Sequence, residues 1–272
     1  MRIKNTIELL VTLLVLFALA TFVSCQKEAQ APATSNSAVV VDSVASEDGL
    51  MVYYDVRGSG EKTIVFVHGW CCDRTYWKNQ VEEFAKKYRV VTIDLGGHGQ
   101  SGLEREVWTM AAFGTDVAAV VEKLDLNDII LVGHSMGGPV IIEAARRLPG
   151  RIVALIGVDN FHVLGQGNSQ QQVENFVARF RPDFATATDQ FVRGMIPEET
   201  DSNLVNWITR DMASAPPEVA LSAIGQTIAY DYHSPLAEIR LPIRTISSDR
   251  YPTDVEGNRA IAASFEDRKS VV

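Results

Sequence analysis

The sequence predicts an α/β fold with a mainly parallel sheet. From about residue 50, strand-like apolar runs alternate with segments that have a helical pattern, and this alternation is typical of crossover connections between parallel strands. The apolar run 63–69 ends in glycine, as expected for a strand buried on both faces, and 88–95 is predicted as another buried strand. Hydrophobic residues make up 46% of the 272 residues, which is enough for one large core.

Each predicted element follows from its local pattern. Strands are predicted at 51–57, 63–69, 88–95, 128–135, 152–159 and 242–249, and helices at 73–87, 110–124 and 136–148. Asp73 is a candidate N-cap of the first helix, and Pro149-Gly150 ends the third. The strands therefore alternate with helices until residue 160.

Residues 160–240 break this rhythm. They contain four helix-like segments, at 170–180, 186–195, 201–213 and 217–230, and prolines separate them. A helical insertion between two strands is a candidate cap over the carboxyl ends of the strands, where open α/β sheets place their sites. Candidate pocket residues in the cap are Phe176, Phe180, Phe184, Phe191, Met195 and Trp207, although aromatic residues at helical spacing more often form core.

The amino-terminal segment is typical of an exported protein. Arg2 and Lys4 precede an apolar stretch over residues 7–23, which is the layout of a secretory signal. The stretch ends at FVSC and resembles a bacterial lipoprotein signal, which implies that Cys25 carries a lipid and begins the mature chain. An uncleaved membrane anchor, or a plain signal with a chance cysteine, remains an alternative.

The predicted domain organisation follows from this resemblance. We expect a signal peptide over residues 1–25, a flexible tether rich in Ala, Ser, Thr and Gln over 26–48, and the folded domain over 49–272. A lipid anchor would attach the protein to a bacterial membrane. Gln26, rather than Asp, follows the cysteine, and this favours the outer membrane or its periplasmic face.

Composition narrows the possible partners. The formal net charge of −9 disfavours nucleic acid, because phosphate binding needs clusters of Lys and Arg. The sequence has no phosphate-binding loop and no HExxH pair, and it indicates no metal and no organic cofactor. Apart from Cys25, its cysteines are the adjacent Cys71 and Cys72. Adjacent cysteines pair poorly, so we expect no disulfide framework.

The motif Gly133-x-Ser135-x-Gly137 has the spacing of a nucleophile elbow. It follows the apolar run IILV and precedes MGGPVIIEAA, which is the strand–turn–helix context that the motif requires. Glycines beside the serine let neighbouring backbone pass close to a sharp turn. The amino end of the following helix would favour a developing negative charge.

At this point the chain resembles the α/β-hydrolase family over about residues 50–272. The matching segments are VHGW (67–70), DLGGHGQS (94–101), GHSMGG (133–138) and the strand that ends at Asp249. The resemblance implies that Ser135 is the nucleophile and that the backbone N–H groups of Trp70 and Met136 form the oxyanion hole. If the loop is shifted by one residue, the N–H of Cys71 replaces that of Trp70.

The catalytic acid implied by the resemblance is Asp249. Asp254, a few residues later, and Asp159, at the end of the preceding strand, are alternatives, because the glycine that the family usually has before the acid is absent. Asp94 also ends a strand, but the family uses that loop structurally.

The expected catalytic histidine is missing. The histidines of the chain are His68, His98, His134, His162 and His233, and all precede Asp249, whereas the family places its base after the acid. We therefore expect a chain cut before its last strand and helix, and weak or inactive as given. A relocated base would most simply come from His162 or His233, which border the predicted cap.

The sequence thus predicts a serine hydrolase of esterase or lipase type that forms an acyl-enzyme on a small acyl substrate. A serine at the elbow counts against dehalogenases and epoxide hydrolases, which use Asp there. Peptidase, acyltransferase and C–C hydrolase chemistry remain open. The alternative function is a non-catalytic small-molecule-binding protein of the same fold. A nucleophilic Cys71 or Cys72 is disfavoured, because the sequence arranges no base for either thiol.

Overall fold

The computed structural model describes residues 39–162, 164–248 and 254–263. Several predictions lie outside these residues: the signal segment with Cys25, the tether up to residue 38, and Asp249. Among the helices described, none combines the length and the apolar character needed to cross a membrane.

The described residues form one seven-stranded sheet with the order β1-β2-β4-β3-β5-β6-β7. The strands are β1 (Val40–Ala45), β2 (Met51–Arg57), β3 (Thr63–Val67), β4 (Arg89–Ile93), β5 (Ile129–His134), β6 (Ile152–Val158) and β7 (Ile243–Ile246). The pairs β1–β2 and β2–β4 are antiparallel, and the other four pairs are parallel. The predicted mainly parallel sheet is confirmed.

The helices alternate with the strands as predicted. They are α1 (Lys78–Phe84), α2 (Met110–Lys123), α3 (Gly137–Arg147), α4 (Gln170–Val177), α5 (Phe184–Met195), α6 (Ser202–Ala213), α7 (Pro217–Ile228), α8 (His233–Glu238) and α9 (Val255–Ala263). The predicted helix over 73–87 is in fact divided. Asp73 caps a 3-10 turn over Arg74–Trp77 by accepting the N–H of Thr75 at 2.7 Å, and α1 follows that turn.

The expected tether over 26–48 is wrong at its carboxyl end. Residues Val40–Ala45 form β1, which pairs with β2 from Val40 opposite Val56 to Ala45 opposite Met51. Residues 40–45, which the prediction assigned to the tether, therefore belong to the folded domain. The backbone of this segment is ordered by hydrogen bonds to a neighbouring strand, which its composition did not reveal.

The sheet is covered on both faces, and β3 shows why. Its alternate residues Ile64 and Phe66 pack in a small cluster with Trp77 and Val81 at the start of α1. The residues between them, including Val65, belong to the main core formed with α2 and α3. A strand buried on both faces needs mostly apolar residues, as residues 64–67 are.

Helices α4 to α7, here called the cap, lie at the carboxyl ends of the strands. Trp70, in the loop after β3, donates its indole N–H to the carbonyl oxygen of Ala220 in α7 at 2.7 Å. In the loop after β4, a Cβ at Gly97 would lie 2.5 Å from the side chain of Val219. The cap therefore sits directly on the loop after β3, which the resemblance places at the site, and on the loop after β4.

Candidate active site

Ser135 lies in a strained turn between β5 and α3. Its φ is +48°, in the left-handed region that non-glycine residues rarely adopt. The N–H of Ser135 donates to the carbonyl oxygen of Val158 at 2.9 Å, and its own carbonyl accepts the N–H of Gly138 at 2.9 Å. These bonds on both sides fix a conformation that costs on the order of 1–3 kcal/mol. The backbone that carries the half-buried serine side chain is therefore held in one conformation.

The two glycines of the motif make this turn possible. A Cβ at Gly133 would lie 2.2 Å from the carbonyl oxygen of Gly137, and a Cβ at Gly137 would lie 2.7 Å from that of Val67. Both distances are too short for any side chain, and the obstacle is backbone that cannot move aside. The glycines therefore allow α3 to start directly against the end of β5.

Asn160 holds the turn from behind, and the sequence did not point to it. Its side-chain amide is buried and donates to the carbonyl oxygens of Gly133 at 2.7 Å and Ser135 at 3.2 Å. Asn160 follows β6, the strand next to β5. Its position two residues after a buried strand was the available signal, but only the pairing of β5 with β6 shows which carbonyl groups it meets.

The loop after β3 passes directly against the elbow. A Cβ at Gly69 would lie 3.3 Å from the Cβ of Ser135, so the backbone leading to Trp70 runs beside the serine. Within the described residues, no acceptor takes the backbone N–H of Trp70 or of Met136. Both predicted oxyanion donors therefore stand on segments next to Ser135 and are free for a ligand.

Cys71 remains an alternative donor. Its φ is +55°, and its N–H also lacks an acceptor among the described residues. The thiols of Cys71 and Cys72 are buried and free, and this burial raises the pKa of both well above the ordinary value for a thiol. The reactive form of a cysteine is the thiolate, and a raised pKa keeps the thiol protonated. The structure therefore does not support a mechanism with a cysteine nucleophile.

Asp159 ends β6 beside the elbow. Its φ is +46°, its N–H donates to the carbonyl oxygen of Ile246 at 2.8 Å, and its carboxylate accepts the N–H of Ser248 at 2.7 Å. Burial lowers the pKa of the His134 imidazole, and the nearby charge of Asp159 opposes that shift in part. The ring of His134 packs edge-on against that of Trp77, with a centroid distance of 6.4 Å.

The other candidate acids have different surroundings. Asp249 lies outside the described residues. The exposed Asp254 precedes α9, and its carboxylate accepts the N–H of Gly257 at 2.9 Å, as a helix cap does. Asp94 is buried and forms an ion pair with Arg74, and it also accepts the N–H of Gln100 at 2.9 Å. Its role in the loop is structural, as expected.

The histidines of the two loops are neutral and structural. His68 bridges the carbonyl oxygen of Gly69 at 2.8 Å and the N–H of Leu95 at 3.0 Å, and burial lowers its pKa to about 4. Burial and the neighbouring His68 lower the pKa of His98 to about 3. Among the residues that the structure describes, no histidine is hydrogen-bonded to the hydroxyl group of Ser135.

The cap closes onto Trp70 through aromatic contacts. The indole ring meets the rings of Phe180, Phe184 and Phe191 edge-on, with centroid distances of 5.6, 6.2 and 6.0 Å. Phe176 packs on Phe180 and Phe191. These cap phenylalanines therefore form a core around Trp70. The two other candidate pocket residues, Met195 and Trp207, are each 37% exposed.

The described residues offer no cluster for a metal ion. No group of three or more His, Cys, Asp or Glu side chains among them is placed to hold one.

Comparison with known proteins agrees with this geometry. The family model described as alpha/beta hydrolase fold matches residues 62–221. Among solved structures, a thermophilic esterase from Thermogutta terrifontis is 26% identical, with a TM-score of 0.67, and the alignment covers 84% of this chain and 87% of that one.

Curated relatives differ in what they do. Over 187 residues the chain is 30% identical to the dihydrolipoyllysine-residue acetyltransferase component of the acetoin cleaving system of Cupriavidus necator, covering 67% of this chain. It spans only 48% of the length of that relative. Over 204 residues it is 24% identical to karrikin insensitive 2 receptor CA of Petunia hybrida, covering 71% of this chain and 75% of the receptor.

Proposed function

Because the chain belongs to the alpha/beta hydrolase fold family, we propose that it is a serine hydrolase that cleaves carboxylic esters of small acyl groups. The observation that carries this proposal is the left-handed backbone of Ser135, with φ of +48°. Strain of this kind is concentrated at functional sites. The 26% identity to a solved esterase favours an ester as the substrate class.

In the proposed reaction, the hydroxyl oxygen of Ser135 attacks the carbonyl carbon of the ester while a general base takes its proton. The N–H groups of Trp70 and Met136 stabilise the tetrahedral oxyanion. Removing one such donor typically costs about 3–4 kcal/mol of transition-state stabilisation. The base then gives the proton to the departing alcohol, and an acyl-enzyme remains. Attack by water on that ester releases the carboxylic acid and restores the serine.

Labelling with a fluorophosphonate probe tests the nucleophile. Because no histidine of this sequence follows Asp249, we expect slow labelling of the full chain. Ser135→Ala should remain unlabelled, because the phosphorus forms its bond with the serine oxygen. Ser59→Ala, which changes an exposed turn serine, is the matched control and should label like the unchanged chain. Equal labelling of Ser135→Ala would remove Ser135 as the nucleophile.

We propose Asp249 as the acid that orients the base. The rivals Asp159 and Asp254 each already hold a backbone N–H group, of Ser248 and Gly257 respectively. Hydrolysis of p-nitrophenyl acetate by the three Asp→Asn variants separates them. If only Asp249→Asn loses turnover, the assignment is supported. If only Asp159→Asn loses turnover, the acid is Asp159, which follows β6.

A non-catalytic role is the second candidate, and a specific observation favours it. No imidazole among the described residues is hydrogen-bonded to Ser135, and one relative is a receptor. Such a protein would bind a hydrolysable ligand and release it unchanged. Stable binding of an ester together with no release of its alcohol over many hours would favour this function over hydrolysis.

We also propose that the chain is exported and anchored to a membrane through lipidated Cys25, which lies in the sequence FVSC. Metabolic labelling with radioactive palmitate in a Gram-negative host tests this proposal. We expect label in the unchanged chain and none in Cys25→Ser, while Cys72→Ser should keep the label. A chain that carries no palmitate label and keeps its signal segment would contradict the proposed lipid anchor.

A further inference from the structure

The end of the sheet opposite the site carries a cluster of basic residues. It is formed by the loop from β2 to β3, residues 57–62, and by the segment that leads from α1 into β4, residues 85–89. Together these segments contain one acidic residue, Glu61, and five basic residues: Arg57, Lys62, Lys86, Lys87 and Arg89. The chain as a whole has a formal net charge of −9, so this local excess is opposite in sign. The surface formed by the five cations is here called the basic end.

The two segments of the basic end are in direct contact. The N–H of Arg89 donates to the carbonyl oxygen of Lys62 at 3.0 Å. A Cβ at Gly58 would lie 2.1 Å from the carbonyl oxygen of Tyr88 and 2.6 Å from that of Ala85, so only glycine lets the backbones approach this closely. The five basic residues therefore belong to one surface, although the two segments are more than 20 residues apart in the sequence.

Neighbouring carboxylates do not neutralise the basic end. Four of its cations form no ion pair with a described residue: Arg57, Lys62, Lys87 and Arg89. The fifth, Lys86, is paired with Glu83, and because both side chains are exposed this pair contributes little. Glu61 within the loop and Asp128 before β5 are exposed acids at the same sheet end. An excess of positive charge remains around β2, β3 and β4.

The chain that precedes the described domain joins it beside the basic end. β1 is antiparallel to β2, and Val40 at the start of β1 lies opposite Val56, the neighbour of Arg57. Upstream of this point the sequence contains the apolar stretch 7–23 and Cys25. A membrane attachment through either of them is therefore connected to the domain at the basic end and not at the cap.

Exposed apolar side chains border the basic end. Val40 and Val41 are 55% and 54% exposed, and Phe84, the last residue of α1, is 40% exposed. The ring of Phe84 lies 6.1 Å from that of Tyr88, and Nζ of Lys87 lies 5.8 Å from the centroid of the Tyr88 ring. Aromatic and aliphatic groups next to Lys and Arg are typical of surfaces that rest on a bilayer.

We propose that the basic end docks on an anionic phospholipid bilayer and turns the cap away from it. Lys and Arg side chains are attracted to such a surface within about a Debye length. β3 leads from Thr63, which pairs with Arg89, to Val67, which pairs with Gly133 of the elbow. Ser135 therefore lies about 13 Å or more farther from the bilayer than the basic end does. A substrate would then reach the site from the aqueous side.

Acetylation of lysine side chains tests the docking. The full chain is added to preformed vesicles of phosphatidylcholine, with or without one quarter phosphatidylglycerol, and treated with a membrane-impermeant acetylating reagent before mass spectrometry. We expect Lys62, Lys86 and Lys87 to react about fivefold more slowly on the anionic vesicles. Lys78, which lies over the ring of Trp207 in the cap, should react equally on both. In 0.5 M NaCl the difference should disappear, because salt screens exposed charges.

Two double variants separate this surface from general attraction to anionic lipid. Lys62→Gln with Lys87→Gln removes two charges from the basic end, and Lys78→Gln with Arg210→Gln removes two from exposed positions near and in the cap. On anionic vesicles, acetylation of Lys86 should speed up in the first double variant and stay slow in the second. All four positions are on the surface, and circular dichroism checks that both variants fold.

Three results would overturn the proposal: equal acetylation of the three lysines on the two kinds of vesicle, equal protection of Lys78, or equal acetylation of Lys86 in the two double variants. Inorganic phosphate added to the neutral vesicles tests a soluble ligand, and slower acetylation there would show a phosphate site in place of membrane docking. The inference goes beyond the proposed hydrolysis. None of these measurements requires that Ser135 reacts or that Cys25 carries a lipid, so the proposals fail independently.

Discussion

The indole N–H of Trp70 donates to the carbonyl oxygen of Ala220 at 2.7 Å, and this single bond joins the loop beside Ser135 to helix α7 of the cap. The backbone N–H of the same tryptophan is the proposed oxyanion donor. The side chain of Trp70 is therefore held by the cap while its main chain serves the proposed reaction. Movement of the cap would therefore change the position of this backbone N–H group.

The first prediction concerns Trp70→Phe. Phenylalanine keeps an aromatic ring among the cap phenylalanines but cannot donate to Ala220, so we expect the free energy of unfolding to fall by about 2 kcal/mol. Fluorophosphonate labelling should also slow, because the loop is less well positioned. Urea denaturation followed by circular dichroism measures the stability. Trp207→Phe, at a 37% exposed position, should change stability by less than about 0.5 kcal/mol. Similar losses in both variants would contradict this role for Trp70.

The second prediction compares two glycines. Gly133→Ala would place a Cβ 2.2 Å from the carbonyl oxygen of Gly137, whereas a Cβ at Gly194 in α5 meets nothing within 4 Å. We expect Gly133→Ala to lose more than about 3 kcal/mol of stability or to fail to fold. Gly194→Ala should gain about 0.5–1 kcal/mol, because alanine is the better helix former. Thermal unfolding of the two variants measures both, and a stable, well-folded Gly133→Ala chain would mean that the elbow is built differently.

The third prediction tests the role of Asn160 behind the elbow. Asn160→Asp keeps the shape but replaces the donating amide by a carboxylate that faces the carbonyl oxygens of Gly133 and Ser135. We expect a loss of about 2–3 kcal/mol of stability and slower fluorophosphonate labelling of Ser135. Asn168→Asp, at an exposed position of the loop before α4, is the matched control. If labelling rates of the two variants are equal, Asn160 does not position the serine.

The pattern of apolar runs was sufficient to predict most of the sheet, because strands buried on both faces need apolar residues throughout. β1 escaped prediction because its side chains are mostly exposed, and its short apolar run, residues 39–41, was assigned to the tether. Helix α8 was also missed. It has six residues and contains Pro235, and both features are typical of a break between elements.

The site was predictable only where a local motif specifies it. The spacing of Gly133, Ser135 and Gly137 predicts a turn whose strain the structure shows. No local motif marks Asn160, because the carbonyl groups that its buried amide binds are brought to it only by the pairing of the strands.

The last prediction concerns acid sensitivity. Burial lowers the pKa of His68 to about 4 and is the main cause that lowers that of His98 to about 3, whereas both have a pKa near 6.5 in an unfolded chain. Below pH 6.5 the unfolded state therefore binds more protons than the folded state. The stability that these neutral imidazoles contribute is complete above that pH and is lost as the pH falls toward the folded-state values. Between pH 7 and pH 5 we expect a loss on the order of 3 kcal/mol.

Urea denaturation at several pH values between 7 and 5 measures this dependence. In His98→Asn one of the two contributions is absent, and the asparagine amide can still donate to the carbonyl oxygen of Gly96. The slope of unfolding free energy against pH should then fall to about half. A free energy of unfolding that stays constant from pH 7 to pH 5 would show that the two imidazoles gain protons in the folded chain as readily as in the unfolded one. The interior of the loops around His68 and His98 would then have to be open to water.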